Sequence, residues 1–255
     1  MRWRAVLAAL AALLVLAAGV AALAVHGLPD PRPLRDPAWV QQRFKLSEWT
    51  PLEQVDPLAV RAVLLSEDDT FFRNHGVRMD QLGPAAWEDL LALRYKRGAS
   101  GLTQQVVKNA FLGGQKSLLR KLQELWLARR ADKAVGKKRL LEDYLNLAEW
   151  GPHKERGVAF AARYCFGKTP AQLDAKDGAL LAWLLPDPRH RALWIRRGQL
   201  PLRARRHIAL LLGRLVDEGS LDEAAAAALA ARPYAFERHP GPPLQPDTED
   251  KDDDE

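Results

Sequence analysis

The stretch Ser117-Leu118-Leu119-Arg120-Lys121-Leu122-Gln123-Glu124-Leu125-Trp126-Leu127-Ala128-Arg129-Arg130-Ala131-Asp132-Lys133 decides the fold class. Leu118, Leu119, Leu122, Leu125 and Trp126 recur at i, i+1, i+4, i+7 and i+8, the apolar stripe of an amphipathic helix, and the other face is polar and mostly basic. The same period continues outward in both directions. Helices are expected over about 137–148, 157–166, 174–185 and 201–218, and Ser220-Leu221-Asp222-Glu223 is a capping box ahead of an alanine-rich run. Towards the N-terminus, Asp56 suits an N-cap and Pro57 the first helical position. Leu58, Ala62 and Leu65 then continue the helical spacing to about Asp69. Strand-like alternation is almost absent, so residues 57–232 read as an all-α domain.

Composition narrows the class. The 255 residues are 47% apolar and 27% charged, which excludes wholesale disorder and a collagen-like fibre. The single cysteine, Cys165, can neither close an intramolecular disulfide nor build a cysteine zinc cage. The net charge is +6, yet the last nine residues carry seven acids and one Lys, so the remainder of the chain is near +12. A body this basic calls for an anionic partner.

The N-terminus selects among such partners. Residues 5–25 contain no charged or strongly polar side chain, and at about 1.5 Å per residue they span roughly 30 Å, the hydrocarbon thickness of a bilayer. Arg2 and Arg4 precede this run and orient it with the short N-terminus in the cytoplasm and the body across the membrane. A cleaved signal peptide is the rival, with Ala22-Leu23-Ala24 at the cleavage position, but the run exceeds the usual h-region of about 7–15 residues. Either reading exports the body, which excludes nucleic acid as the partner and favours anionic lipid. The expected organisation is a cytoplasmic tip and transmembrane anchor over 1–26, a proline-rich extended stalk over 27–56, the helical domain over 57–232 and a disordered acidic tail over 233–255.

Three segments carry residues suited to chemistry. In Ser66-Glu67-Asp68-Asp69-Thr70-Phe71-Phe72-Arg73-Asn74-His75-Gly76, three successive carboxylates cannot all be buried and ionised. The helix end therefore faces water or a cleft, Phe71 and Phe72 anchor the turn in the core, and one carboxylate is a candidate general acid or base. In Gly98-Ala99-Ser100-Gly101-Leu102-Thr103-Gln104-Gln105-Val106-Val107-Lys108-Asn109, small residues precede a helix whose free N–H groups can hold an anion, with Gln104, Gln105 and Lys108 adding donors. In Lys116 to Glu124, Arg120 and Lys121 lie four and three residues before Glu124 and converge on one helix face. Each taken singly also fits a solvated helix end, a glycine-containing loop or a surface salt bridge.

Together, in this order, the segments resemble the motifs of glycosyltransferase family 51, the peptidoglycan glycosyltransferases that polymerise lipid II. Glu67-Asp68-x-x-Phe71 with Gly76 is similar to the first motif. Ser100 with Thr103-Gln104-Gln105 and Lys108-Asn109 is similar to the second, and Arg120-Lys121-x-x-Glu124 to the third. Lys137-x-x-Leu140-Leu141-Glu142-x-Tyr144-Leu145-Asn146 with Gly151 resembles the fourth, and Gly157 with Ala161-Ala162 and Phe166-Gly167-Lys168 the fifth. Four positions depart from the pattern. Gly101 replaces a Thr, Asn74 stands where a His is expected with His75 one place later, Cys165 replaces an aromatic, and Arg78 replaces a frequent Asp.

The resemblance is to the monofunctional members, without a transpeptidase. It implies a lysozyme-like all-α fold on one transmembrane helix, held on the outer side of the cytoplasmic membrane, with a membrane-touching segment over about 79–97. It also implies that the 4-hydroxyl of one lipid II attacks MurNAc C1 of a growing strand with inversion and release of undecaprenyl pyrophosphate, and that the phosphoglycolipid moenomycin binds. Glu67 is then the general base, and Glu124 acts near the departing pyrophosphate. Ser100, Thr103, Gln104, Gln105, Lys108, Lys116, Arg120 and Lys121 bind the substrate. A hard divalent cation, Mg²⁺ or Mn²⁺, suits phosphate oxygens, although no residue pattern specifies one. Lipid II, the nascent glycan, the membrane and other cell-wall synthases or division proteins are the implied partners. Two rivals stand beside this reading: a lysozyme-like muralytic enzyme, disfavoured by the basic cluster, and a membrane-anchored scaffold with a decayed site, motivated by Asn74 and Gly101.

Overall fold

A computed structural model describes residues 26–78, 100–112 and 117–237, with isolated positions between 3 and 19. In chain order the helices are α1 Pro37–Phe44, α2 Pro57–Glu67, α3 Leu102–Phe111, α4 Leu118–Val135, α5 Lys137–Leu147, α6 Val158–Phe166, α7 Ala175–Leu184, α8 Pro188–Arg197, α9 Leu202–Asp217 and α10 Glu223–Ala231. Among the described residues there is no strand, only an isolated bridge between Glu149 and Arg156, so the all-α class holds. No described helix is long and apolar enough to cross a membrane. Of the anchor expected over 5–25 only six isolated positions are described, and the membrane-touching segment expected over about 79–97 lies wholly outside the described residues.

The chain divides into two compact units, one of Met1–Phe44 and Thr70–Tyr144, the other of Lys45–Asp69 and Leu145–Glu255. In the first, a 3-10 turn over Arg32–Arg35 and α1 are folded rather than extended, which corrects the stalk expected over 27–56. Proline misleads there because Pro37 opens α1, where its fixed φ suits a helix and no amide is needed. Leu34 and Val40 are fully buried, and Arg139 Nε donates to Leu34 O at 2.8 Å.

The loop from Thr70 to Arg78 packs under α4. Phe71 is buried but Phe72 is 53% exposed, so only the first of the two rings anchors the turn. Gly76 has φ +82°, and a Cβ there would lie 2.5 Å from Ala128 O of α4, so the position admits only glycine. Asn74 Oδ1 accepts from Gly76 N at 3.1 Å and from Lys137 Nζ at 2.9 Å, which gives the unexpected Asn a structural task in the turn.

α4 is rotated from the orientation its apolar stripe implies. Leu119, Leu122 and Trp126 are exposed, at 47%, 38% and 38%, while Leu127, Ala128 and Ala131 are buried together with Lys121 and Glu124. Arg130 covers the Trp126 ring at 4.6 Å.

In the second unit α7 is buried along its whole length, and α2 and α9 pack against it. α2 approaches so closely that a Cβ on Gly178 would lie 2.3 Å from Ala59 O. Asn146 Nδ2 donates to Thr50 O at 2.8 Å and its Oδ1 accepts from Thr50 N at 2.9 Å, fixing the segment that leads into α2. The first residues of the disordered tail expected over 233–255 are packed instead. Tyr234 is buried, stacks on Phe166 at 5.6 Å and donates its hydroxyl to Lys176 O at 2.8 Å; residues 238–255 lie outside the described residues.

Candidate active site

Two short helix starts build the cluster in the first unit. Ser117 caps α4, its Oγ accepting from Arg120 N at 3.1 Å. At the start of α3, Gln104 Oε1 accepts from Gly101 N at 3.1 Å, one half of a capping box that Gly101, lacking a side chain, cannot complete. These two starts bring Ser100, Gln104, Arg120, Lys121 and Glu124 together.

Glu124 is the hub and is only 2% exposed. Its Oε1 accepts from Gln104 Nε2 at 3.1 Å and from Lys121 Nζ, and its Oε2 from Arg120 Nη1 at 3.1 Å. Lys121, 8% exposed, also donates to Ser100 Oγ at 2.8 Å. Two cations thus surround one carboxylate, so the cluster carries a surplus positive charge held in fixed geometry, the arrangement that recognises an anion such as a phosphate. Thr103 is 1% exposed and its Oγ1 is buried without a hydrogen-bond partner. Gln105 and Lys108 are half-buried on α3. Lys116 lies outside the described residues.

A divalent cation is poorly suited to these residues. Both Glu124 oxygens are already engaged by donors, two of them cationic, and among the described residues no group of three or more His, Cys, Asp or Glu side chains is placed to hold a metal.

Glu67 belongs to the second unit, at the last position of α2, and is half-buried. The helix is specified locally: Asp56 Oδ1 accepts from Ala59 N at 2.8 Å, Pro57 opens the first turn, and Asp68 N closes the last one on Leu64 O at 2.8 Å. Asp68 is buried at 1% exposure. α9 grips this end of α2. Arg214 Nη1 donates to Leu65 O at 2.6 Å and its Nη2 to Asp69 Oδ2 at 3.2 Å, while His207 Nε2 lies 3.4 Å from Ser66 Oγ. Burial, with Arg191 nearby, lowers the His207 pKa and keeps the ring neutral.

Sequence reasoning passed over Arg214 and His207, because the partners of Arg214 lie 149 and 145 positions away along the chain and no local pattern marks them. It also passed over Asp143 in the first unit, which sits between Glu142 and Tyr144 of the fourth motif. Asp143 is fully buried and paired with Arg139 at 2.7 Å; desolvation raises its pKa to about 7 against the opposing pull of Arg139. Burial likewise raises the pKa of the Cys165 thiol, which makes it an inert packing residue.

Comparison with known proteins bears on this geometry. The family model described as Transglycosylase matches residues 38–215. Curated relatives named biosynthetic peptidoglycan transglycosylase are similar to the chain. The one from Rhodopseudomonas palustris strain TIE-1 is 42% identical over 144 residues, 56% of this chain and 61% of that protein. The one from Brucella suis biovar 1 is 38% identical over 203 residues, 77% of this chain and 87% of that protein. The one from Rhizobium meliloti strain 1021 is 42% identical over 141 residues, 55% of this chain and 59% of that protein. The chain spans about three fifths of the length of the Rhodopseudomonas relative that it matches.

Proposed function

This chain belongs to the transglycosylase family, and on that premise we propose that it is a peptidoglycan glycosyltransferase that polymerises lipid II. The observation that carries the proposal is the buried cationic cluster of Lys121 and Arg120 fixed by Glu124, Gln104 and Ser100. A leaving undecaprenyl pyrophosphate gains charge as the bond to MurNAc C1 breaks, and preorganised donors stabilise that charge in the transition state. Cleavage of a neutral glycan by a muralytic enzyme needs no such clamp.

In this reading Glu67 takes the proton of the attacking GlcNAc 4-hydroxyl, C1 inverts, and Lys121 and Arg120 offset the charge of the departing pyrophosphate. Glu124 holds the two cations in place, consistent with its saturated oxygens. Thr103, Gln105, Lys108 and Lys116 are the further residues assigned to substrate binding in this reading. No step is assigned to a divalent cation. The domain is lysozyme-like and works on the outer side of the cytoplasmic membrane, anchored through residues 5–25, whose apolar run supports the placement.

The test is gel analysis of products from the purified full chain and labelled lipid II, with and without moenomycin. Inhibitor-sensitive polymer is expected, and Glu67→Gln should abolish it while leaving the thermal melt unchanged. Folded wild-type protein that makes no polymer would support a scaffold, and full activity in Glu67→Gln would end the assignment of the base.

A further inference from the structure

We infer that Arg214 is a positioning residue for Glu67: it caps the C-terminal end of α2 and holds the turn on which the proposed base stands. The inference rests on the reading of Glu67 as the base, and its observations lie within the second unit.

An α-helix ends with carbonyls that lack intrahelical donors, and each must find a partner or water. In α2, Leu64 O receives Asp68 N at 2.8 Å. Leu65 O is taken by Arg214 Nη1 at 2.6 Å. A guanidinium is also the favourable charge at this end of the helix dipole. The second arm of the same fork reaches Asp69 Oδ2 at 3.2 Å. One rigid planar group therefore spans the chain from two residues before Glu67 to two residues after it.

Other contacts between α2 and the α9 region act in the same sense. His207 Nε2 lies 3.4 Å from Ser66 Oγ, and Arg61 Nε donates at 2.7 Å to Glu218, the residue that ends α9. The Arg214–Asp69 pair is more than a third exposed on both sides, so its contribution is geometric rather than a large ionic stabilisation. A general base must lie within hydrogen-bond reach of its proton, and a displacement of about 1 Å can cost a factor of about 100 in rate. Lys at 214 keeps the charge and loses the two-point span; Gln loses both.

Arg214→Gln and Arg214→Lys are compared with wild type in the full chain by steady-state polymerisation of lipid II and by amide hydrogen exchange. Arg214→Gln should lower kcat by about 10- to 100-fold with KM within about twofold. Arg214→Lys should recover part of that loss. Exchange of the Asp68 amide should accelerate in Arg214→Gln while amides of α7 keep their protection. Wild-type kcat in folded Arg214→Gln, a raised KM with kcat unchanged, or unaltered Asp68 exchange would each overturn the inference. Should Arg214→Gln fail to fold, Asp69→Asn weakens one arm of the span and should show a smaller kcat loss in the same direction; no loss there would overturn it equally. If wild type makes no polymer, the functional reading fails, and Asp68 exchange still decides whether Arg214 holds the turn.

Discussion

Lys121 donates to Ser100 Oγ at 2.8 Å across 21 positions of sequence, and the same ammonium donates to Glu124. The start of α3 and the start of α4 are thereby tied by one buried charge. Lys121→Met removes that tie and leaves Glu124 with Arg120 and Gln104 alone. It should destabilise the protein by about 3 kcal/mol, the cost of breaking a buried pair. It should also raise KM for lipid II and lower kcat. A urea melt and steady-state kinetics check both, and wild-type values in each would place Lys121 outside the network.

Gly101 leaves the capping box at α3 half made. Its φ of −64° and ψ of 165° are open to any residue, so nothing in the backbone requires glycine. Gly101→Ser should supply a side-chain acceptor for the backbone N–H of Gln104 and gain about 0.5 kcal/mol, seen as a rise in Tm with polymerisation at least at the wild-type rate. A lowered Tm would mean that the buried surroundings of Gly101 have no room for an Oγ.

Asp143 makes stability depend on pH in an unusual direction for a carboxyl. Its folded pKa of about 7 lies above the unfolded value of 3.8, so the folded state holds the proton more tightly. The contribution is full below the unfolded pKa, declines as pH rises towards 7 and is flat beyond. Between about pH 5 and 8 the loss amounts to roughly 2–3 kcal/mol. Asp143→Asn, which preserves an acceptor for Arg139, should flatten that part of the stability profile measured by urea melts. An unchanged slope would assign it to other groups.

Gly178→Ala should be the costliest single methyl in the second unit. The added Cβ meets backbone of α2 at 2.3 Å, and backbone cannot turn aside as a side chain can. A loss of about 1–3 kcal/mol is expected, accompanied by a fall in kcat because α2 also carries Glu67. Retained stability with lowered kcat would show that α2 shifts bodily to accommodate the methyl.

Most of the helices were legible because their ends are written locally: Asp56 with Pro57, Ser117, and Asp174 each cap the helix that periodicity proposes. The helices Pro37–Phe44 and Pro188–Arg197 were not, since a leading proline reads equally as a helix start or as extended chain. The rotation of α4 was illegible for a different reason. A period fixes the angle between polar and apolar residues but not which side meets the core, and here the buried side includes the charged hub of the candidate site. Replacing Leu119 or Leu122 with Ala should accordingly cost about 1 kcal/mol or less per site, where Leu127→Ala should cost about 2–5 kcal/mol. Comparable losses at the outer positions would restore the stripe to the core. The candidate site was legible as residue types, yet the embrace of α2 by Arg214 and His207 is a long-range contact that no local window contains.

The segment from Glu67 to Gly76 reads in sequence as one continuous motif, but its first three residues belong to one compact unit and the rest to the other. Substitutions along it should therefore sort into two phenotypic classes with a sharp break after Asp69. Lesions at Gly76 or Asn74 strike the turn under α4 and are suppressible only by changes near Ala128 or Lys137. Lesions at Glu67 or Asp69 answer instead to α9. A genetic screen for compensating changes would therefore return two separate sets of suppressors for a segment that is continuous in the chain.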